Sequence, residues 1–223
     1  SSIPFTPASG PRILMAEEKR SPEIVKAISD ALKQISEDNN FSSVHVLLPE
    51  KKEIENFSNE DFSLRTSYSF HWFNKSYKNF DQFLDDMTSR QRKNIRKERA
   101  KITDQGISVL KITGDEITTE MIETFYQFYQ VTYLKRGMRG YLNFDFFKKI
   151  IELIPESILL VMAKNSIGEY VAGALNFFDD KKLYGRYWGC LEEYDSLHFE
   201  TCYYQGIEFC IAENLESFDP GVQ

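Results

Sequence analysis

Three apolar runs joined by short polar turns limit the folds open to this chain more than any other part of its sequence. The runs cover residues 157–164, 169–178 and 183–190. The segment Asn165-Ser166-Ile167-Gly168 between the first two is typical of a hairpin turn. Because a tight turn joins antiparallel strands, we expect an antiparallel meander at the centre of the fold.

Helical patterns lie on both sides of this meander. The predicted helices cover residues 21–38, 81–101, 118–134 and 144–154, and a last helix starts at His198 and leads to a strand over 217–223. Capping residues support several of these starts: Ser21, Asn143, and Thr88 or Ser89 inside the second helix. The order of elements predicts an α/β (α+β) fold with a mixed, largely antiparallel sheet flanked by helices.

The first third of the chain has weaker patterns. A short apolar strand at 44–48, a helix at 50–57 and a strand around 64–73 follow the helix at 21–38. This order is more typical of the closing half of a domain than of a whole domain. We therefore predict a partial unit over residues 1–78 and the main domain over residues 79–223.

A short basic segment stands out in an acidic chain. Residues 90–101 carry seven basic side chains and one acidic side chain, whereas the whole chain has a formal net charge of −7. One interpretation is a solvated helix face that pairs with acids elsewhere. The other is contact with the phosphates of a nucleotide or RNA. In the second case the candidate phosphate ligands are Arg92, Arg96 and Arg99.

The cysteines and the apolar runs bear on cellular location. Cys190, Cys202 and Cys210 have no metal-ligand spacing, and an odd number does not suit a disulfide framework. We expect reduced thiols in a cytoplasmic protein and no metal site.

No apolar run approaches the roughly 18–20 residues that cross a bilayer, so we expect no transmembrane segment. The first residues lack a signal pattern, and we expect a fragment of a longer protein.

Chemically active side chains crowd the junction where the run at 183–190 leads into the last helix. His198 and Glu200 open that helix, where backbone amides favour an anion. Glu200 is therefore either a structural helix-start carboxylate or, with His198, a general base or an anchor for an amine substrate. Tyr203 and Tyr204 follow at helical steps and could orient a substrate.

Arg186 is the other candidate at this junction. In a regular strand it shares one face with Tyr184 and Trp188, and an arginine between aromatic rings suits the wall of a binding site. The alternative is a structural ion pair across the sheet. The neighbouring Tyr187 joins the candidate pocket. The aromatic residues of the helix over 118–134 are better explained as core than as a ligand cage.

Four stretches of the sequence resemble one bacterial family. They are PFTPASGPRIL at 4–14, SRQRKNIRKERAKI at 89–102, YLNFDFF at 141–147 and LYGRYWGCLEEYDSLHFETCYYQGIE at 183–208. The chain is similar over nearly its whole length to the peptidoglycan biosynthesis/recognition family, which is related to the GNAT N-acyltransferases and the Fem-type aminoacyl transferases. The resemblance implies a GNAT-like fold, with a partial second GNAT-like unit at the start. Family members usually continue beyond DPGVQ and carry sequence before PFTP, so we expect part of the site to lie outside this chain.

The chain also resembles, more weakly, the leucyl/phenylalanyl-tRNA-protein transferases. They share a glycine-containing strand, a glutamate at the helix entry and an acid-x-Gln-like end of the next strand. This resemblance implies that Asp219 and Gln223 position the attacking amine. The chain lacks the [RQ]xxGx[GA] loop that holds the pyrophosphate of coenzyme A. Its absence favours an aminoacyl-tRNA or another carrier over acyl-CoA as donor.

The combined prediction is a cytoplasmic N-acyltransferase that moves an acyl or aminoacyl group from a carrier to an amine. Glu200 and His198 handle the proton, and the α-helical arginines at 92, 96 and 99 contact the donor's phosphates. The predicted substrate-binding residues are Arg186, Tyr187, Tyr203, Tyr204, Asp219 and Gln223. No cofactor is predicted beyond the donor, which is acyl-CoA or aminoacyl-tRNA, so tRNA is an expected partner.

Two alternatives remain open from the sequence. The first is a non-catalytic module that binds a cell-wall peptide or RNA with the same residues. The second is a basic segment that docks on a membrane surface or on a partner protein.

Overall fold

The computed structural model describes residues 10–16, 21–58, 60–66 and 68–221. The chain divides into two compact units, Ser1–Tyr68 and Ser69–Gln223. The division into 1–78 and 79–223 as two related units stays a prediction, because compactness does not test relatedness.

Two helices organise the first unit. Helix α1 (Pro22–Asp38) begins as the sequence predicts, with the Ser21 side chain as N-cap and proline in the first turn. Helix α2 (Lys51–Ser58) follows. Its Glu53 is fully buried. This carboxylate accepts the backbone N–H groups of Arg12 and Ile13 at 2.9–3.0 Å, which ties residues 12–13 to α2.

The strands predicted in the first third of the chain are absent or shorter. Residues 44–48 form no strand, and Gly10 and Pro49 form an isolated bridge. The strand predicted over 64–73 reduces to β1 (Trp72–Phe73). A short apolar run becomes a strand only where another strand pairs with it, and local composition does not specify that pairing.

A six-stranded sheet forms the centre of the second unit. After β1 its strands are β2 (Ser108–Thr113), β3 (Ile158–Lys164), β4 (Tyr170–Phe178), β5 (Lys182–Cys190) and β6 (Ser217–Asp219). The spatial order is β1-β6-β5-β4-β3-β2. Neighbours are antiparallel except β5 and β6, which are parallel. The predicted meander is β3-β4-β5, and the predicted fold class is confirmed.

Helices flank this sheet. They are α3 (Phe80–Asp85), α4 (Ser89–Asp104), α5 (Thr119–Lys135), α6 (Phe144–Leu153), α7 (Leu197–Phe199) and α8 (Gln205–Ala212). A π-helical segment, Glu200–Tyr204, joins α7 to α8. The helix predicted over 81–101 is two helices, α3 and α4. Thr88 separates them because it forms a capping box with Gln91 at the start of α4.

Alternate side chains of β3 divide the core into two layers. Leu159 and Val161 face a cluster that includes residues of α3 and α8, whereas Leu160 and Met162 face residues of α5 and α6. All four are fully buried. The aromatic side chains of α5 belong to the second layer, as predicted. Helices therefore cover both faces of the sheet, one pair on each.

A β-bulge lies in β5 at Arg186. Leu175 of β4 pairs with Tyr187 and Asn176 pairs with Gly185, so Arg186 is an extra residue without a direct partner in the ladder. A bulge of this kind bends the strand and changes the direction of the following side chains.

This bulge inverts the alternation of side chains along β5. Leu183 packs in the layer with α3 and α8, whereas Tyr187, four residues later, packs in the layer with α5 and α6. The predicted shared face of Tyr184, Arg186 and Trp188 is therefore wrong. That prediction assumed a regular strand, and the extra residue separates the faces of Tyr184 and Trp188.

Candidate functional site

A partly buried network of carboxylates and one guanidinium joins α4 to the last helical segments. Glu200 has only 4% of its surface exposed. Arg99 donates to it from two nitrogens, Nε to Oε2 at 3.1 Å and Nη2 to Oε1 at 3.0 Å. Nη1 of Arg99 donates to Glu208 at 2.6 Å, and Lys111 of β2 donates to the other oxygen of Glu208 at 3.1 Å. Arg99 is thus shared by two carboxylates, with bidentate geometry at Glu200.

The π-helical segment explains the surroundings of Glu200. The side-chain amide of Gln205 donates to Glu200 Oε1 at 2.6 Å. These residues are five positions apart, and a π turn places such residues one above the other, whereas an α-helix aligns residues three or four apart. The wide turn therefore gives the Glu200 carboxylate a third donor group. Such single π turns frequently occur at functional sites.

The network shifts the pKa values of its members. Burial by itself raises the pKa of Glu208, but the hydrogen bond and charge of Arg99 and the charge of Lys111 outweigh it, and the net pKa is lowered. Burial also acts to lower the pKa of Arg99, and the hydrogen bonds to Glu208 and Glu200 reverse this effect, so the net pKa is raised. Glu208 and Arg99 are therefore both charged at neutral pH.

The network lines a cavity of about 830 Å³. The charged residues around it are Asp81, Arg96, Arg99, Glu200 and Glu208. Uncharged polar and apolar side chains form the rest of the wall, among them Phe80, whose ring centroid lies 4.7 Å from the Arg99 guanidinium carbon. The volume is in the range of small-molecule sites. Charges of both signs suit a ligand that carries an ammonium and an anionic group.

Tyr204 lies beside this network. It is buried, and its hydroxyl donates a hydrogen bond to Glu98 of α4. Burial raises the pKa of Tyr204, and the hydrogen bond to Glu98 raises it further. The phenol therefore stays protonated at neutral pH and acts as a donor.

His198 and Tyr203 form a separate aromatic cluster. The exposed His198 ring packs edge-on against Trp188, Phe199 and Tyr203, with centroid distances of 5.3, 5.8 and 5.7 Å. These rings remove water from one side of the imidazole, and this desolvation lowers the pKa of His198. Desolvation also raises the pKa of Tyr203. His198 is therefore largely neutral at pH 7.

Arg186 and Tyr187 lie at the bulge of β5. The Arg186 guanidinium carbon is 5.0 Å from the centroid of the Tyr187 ring. The Tyr187 hydroxyl is 3.3 Å from that of Tyr141, and its ring packs edge-on against Tyr129. Burial raises the pKa of Tyr187. Tyr187 belongs to the layer with α5 and α6, whereas Glu200 lies toward α4.

Asp219 lies at the end of β6. One of its oxygens accepts the backbone N–H of Gly221 at 3.0 Å. The other lies 3.5 Å from His71 Nε2 and 3.9 Å from Lys182 Nζ. Gln223, which was predicted to act with Asp219, is outside the described residues.

The three arginines predicted to contact phosphates all have acidic partners. Arg92 lies 3.5 Å from Asp85, and Arg96 lies 3.0 Å from Asp81. Arg99 is held by the two glutamates described above. These three side chains therefore form the ion pairs expected if the basic segment is a helix face that pairs with acids elsewhere in the chain. Their contact with phosphate stays a prediction.

The described residues also bear on metal binding and membrane spanning. Among them, no group of three or more His, Cys, Asp or Glu side chains is placed to hold a metal ion. Cys190, Cys202 and Cys210 are free thiols, and burial raises the pKa of each, to about 12 for the last two. In the same part of the chain, every helix is too short or too polar to cross a membrane.

The sequence as a whole, residues 1–223, matches a family described as FemAB-like, peptidoglycan biosynthesis/recognition. The chain belongs to the FemAB-like family. The family resemblance of the four sequence stretches is therefore confirmed. A search of curated proteins found no match.

This FemAB-like chain is similar to several solved structures. FemX matches with a TM-score of 0.52 and 15% identity, over 100% of this chain and 74% of FemX. L-PGS from Bacillus licheniformis matches with a TM-score of 0.47 and 13% identity, over 78% of this chain and 52% of L-PGS. This chain therefore spans about half the length of L-PGS. An aminoglycoside acetyltransferase from an uncultured soil metagenomic sample has a TM-score of 0.32 and 14% identity, over 49% of this chain and 74% of that one. The match to FemX shows a shared fold and does not identify a substrate.

The predicted site residues of this FemAB-like chain fall into separate places. Glu200, Arg96 and Arg99 line the cavity, and Tyr204 lies beside the network, whereas Arg92 pairs with Asp85. The other described residues of the predicted set lie at the aromatic cluster (His198 and Tyr203), at the bulge (Arg186 and Tyr187) and at the end of β6 (Asp219). Three members of the network, Lys111, Gln205 and Glu208, were not predicted. Glu208 lies eight residues after Glu200, about two helical turns away, and this spacing was the signal available in the sequence.

Proposed function

We propose that this FemAB-like chain is an N-acyltransferase that moves an acyl or aminoacyl group from a carrier to an amine, in a reaction linked to peptidoglycan. The observation that carries the proposal is the cavity with charges of both signs around Glu200, Glu208 and Arg99. Family membership supports the link to peptidoglycan. The donor is an acyl-CoA or an aminoacyl-tRNA, and the acceptor is a small-molecule or peptide amine.

The reaction requires few covalent steps from the protein. The amine nitrogen attacks the carbonyl carbon of a carrier-linked ester or thioester, so that a C–N bond forms and the C–O or C–S bond to the carrier breaks. The amine loses a proton, and the departing oxygen or sulfur takes one up. Orientation of the two substrates and transfer of these protons are the main tasks of such a site.

The geometry supports a division of roles among the acidic groups. The lowered pKa of Glu208 makes it a weak base but a good anchor for a substrate ammonium. We assign proton transfer to Glu200 and His198. Substrate walls are formed by Arg186, Tyr187, Tyr203 and Tyr204, and the amine is positioned by Asp219 and Gln223. For Arg92, Arg96 and Arg99 to contact donor phosphates, each must exchange its acidic partner.

We also place the reaction in the cytoplasm. The three free thiols support a reducing compartment. Fractionation of cells that produce the tagged full-length protein tests this assignment, and recovery with secreted proteins would exclude it.

A transfer assay tests the proposed function. Full-length protein is incubated with a peptidoglycan-derived peptide amine and with aminoacyl-tRNA or acyl-CoA, and the modified peptide is measured by mass spectrometry. We expect Glu200→Gln to lower turnover about 100-fold through loss of proton transfer, and Arg186→Ala to raise KM. Glu213→Gln, a change at the exposed residue that follows α8, is the matched control and should retain turnover. Undiminished transfer in both test variants would contradict the assignment.

One observation favours a second function, a non-catalytic module that binds a cell-wall peptide or RNA. Arg99 holds both cavity carboxylates, and Glu200 also accepts from Gln205, so neither carboxylate is free of donors. Equilibrium binding of the peptide without turnover, in the full-length protein, would establish this function in place of the transferase.

The lowered pKa of His198 leads to a prediction for the pH dependence of transfer. A neutral imidazole accepts the proton, so the rate should rise as pH increases through the folded-state pKa, which lies below the usual 6.5. The rate should then be constant near pH 7. A His198→Gln variant should lose this acidic limb, whereas His45→Gln, in the first unit, should retain it. A rate profile from pH 5 to 8 measures the difference, and an identical limb in all three proteins would exclude His198 from the step.

A further inference from the structure

The chain leaves the end of α5 through a turn that exposes large apolar side chains among basic ones. Residues 134–141 read LKRGMRGY, and every residue from 134 to 139 is exposed. The large apolar side chains at its surface are Leu134 (61% exposed), Met138 (52%) and Tyr141 (45%). Arg136 and Arg139 lie between them, and neither forms an ion pair within the described part of the chain. We call residues 134–141 the basic–apolar turn.

Backbone hydrogen bonds fix the start of this turn. The N–H of Gly137 donates to Leu134 O at 2.9 Å, and the N–H of Met138 donates to Tyr133 O at 3.0 Å. Because Gly137 has a φ of 71°, these two bonds form a Schellman motif at the end of α5. In this motif an apolar residue after the glycine commonly packs back onto the helix. Met138 is exposed instead, so packing within the chain does not account for it.

The aromatic layer fixes the other end of the turn. The Tyr141 ring lies edge-on to the rings of Tyr129 and Tyr133, with centroid distances of 6.5 and 5.8 Å. At Gly140 an added Cβ would stand 2.4 Å from the Tyr129 ring, so the backbone lies directly on that ring. At Gly137, by contrast, an added Cβ would meet no atom within 4 Å. The basic–apolar turn therefore has a fixed base and an open tip.

Local structure explains only part of the charge on this turn. Lys135 pairs with Glu193 at 3.0 Å. A cation at the C-terminal end of a helix also complements the helix dipole, which accounts for Arg136. Arg139 lies beyond that end, where the effect of the dipole has fallen off. The chain has an excess of acids, yet residues 124–144 contain none. The positive charge at the tip is therefore available to an anionic surface.

We propose that the basic–apolar turn binds the surface of a bilayer that contains anionic phospholipids. Such binding combines the attraction of cations to lipid headgroups with burial of apolar side chains beneath them, and this turn supplies both. Tyrosine suits the boundary between headgroups and acyl chains, because its ring is apolar and its hydroxyl is polar. The proposal goes beyond the proposed function and is independent of it.

Two other kinds of partner fit this turn less well. A hydrated polyanion would neutralise the arginines but leave Leu134 and Met138 in water. A stable protein–protein interface takes about 800 Å² and 20–30 residues from each partner. A single short turn offers much less than that. A fluid bilayer needs no matching surface and can accept a small protruding tip.

Helix α4 lacks the apolar component of this surface. No large apolar side chain is exposed on α4, all of whose residues are described. Its Ile95 and Ile102 pack against the core. The cations of α4 could attract lipid headgroups only electrostatically, and salt screens that attraction. Binding through the basic–apolar turn should weaken with salt only in part, because burial of apolar side chains does not depend on charge.

Co-sedimentation of the full-length protein with vesicles tests the proposal. The vesicles contain phosphatidylcholine alone or with about 30% phosphatidylglycerol, and we expect at least roughly tenfold tighter binding to the anionic ones. Arg139→Gln should weaken this binding about fivefold, and Met138→Gln roughly tenfold. The matched controls are Lys93→Gln, an exposed cation of α4, and Ile167→Gln, an exposed apolar residue between β3 and β4. Both should bind within about twofold of the unaltered protein.

A fluorescence measurement separates insertion from attraction to the surface. Met138→Trp places an indole at the tip of the turn, and its emission should move to shorter wavelength when anionic vesicles are added, because the ring leaves water. Ile167→Trp should show no such change. Circular dichroism confirms that each variant is folded.

Three results would overturn the proposal. Absence of binding to anionic vesicles at low salt would favour a protein partner for the turn. Equal affinities of Met138→Gln and Ile167→Gln would exclude apolar insertion. A larger loss for Lys93→Gln than for Arg139→Gln would assign the surface to α4. The transfer assay with water-soluble substrates is a separate readout, in which Met138→Gln should retain turnover, so failure of either proposal leaves the other intact.

Discussion

Replacement of Arg99 by methionine is expected to lower the free energy of unfolding by about 3–5 kcal/mol at neutral pH. The Glu200 side chain is only 5% exposed and receives two of its hydrogen bonds from Arg99. Without the guanidinium, the amide of Gln205 is its remaining donor among the hydrogen bonds described. A buried carboxylate that has lost its cation is far less stable than one that is solvated in the unfolded chain. Urea denaturation of the two proteins measures the difference.

Two comparison variants separate this effect from a general loss of charge. Arg96→Met removes an arginine whose ion pair with Asp81 is exposed, with side-chain exposures of 57% and 77%, and it should cost less than about 1 kcal/mol. The double variant Arg99→Met/Glu200→Gln should be more stable than Arg99→Met alone, because no buried charge is left unpaired. Equal losses for Arg99→Met and Arg96→Met would show that the network does not stabilise the fold.

The local sequence predicts those parts of the fold that depend on local chemistry. Ser21, Thr88 and Asn143 each cap a helix with the side chain, as expected for serine, threonine and asparagine. The short turns at 165–168 and 179–182 predict the antiparallel order of β3, β4 and β5 because so few residues can only join neighbours. The prediction of a strand at 44–48 was wrong, because an apolar run forms a strand only when a partner strand from elsewhere in the chain pairs with it.

The candidate site could be predicted only in part for the same reason. Glu200 was found from its place at the start of the last helix, and Arg99 from the basic segment, but with different roles. Their contact joins residues 101 positions apart in the chain, and no local pattern encodes it. The π-helical turn and the bulge at Arg186 are further obstacles, because each adds a residue to a regular repeat. A prediction from the regular repeat then places a side chain beside the wrong neighbours in the helix or on the wrong face of the strand.

A second large loss of stability is expected from Gly189→Ala, at least about 3 kcal/mol. Helix α5 lies so close to β5 here that an added Cβ would stand 2.1 Å from the carbonyl oxygen of Phe128 and 2.8 Å from Thr132 Oγ1. A backbone carbonyl inside a helix cannot move without the helix. The Thr132 hydroxyl also lies 3.1 Å from Phe128 O and 3.0 Å from Trp188 O, so it ties this helix to the strand. Alanine at position 189 therefore separates two packed elements.

Two further variants show whether close packing is the cause. Gly10→Ala places its Cβ no nearer than 3.8 Å to another group, so it should leave stability within about 1 kcal/mol. Thr132→Val removes the hydroxyl bridge without adding an atom to the glycine and should cost about 1 kcal/mol. Thermal and urea unfolding of the three variants should rank Gly189→Ala as the least stable. If Gly189→Ala were as stable as Gly10→Ala, α5 could not lie as close to β5 as described, and the position of the aromatic layer around Tyr187 would have to change with it.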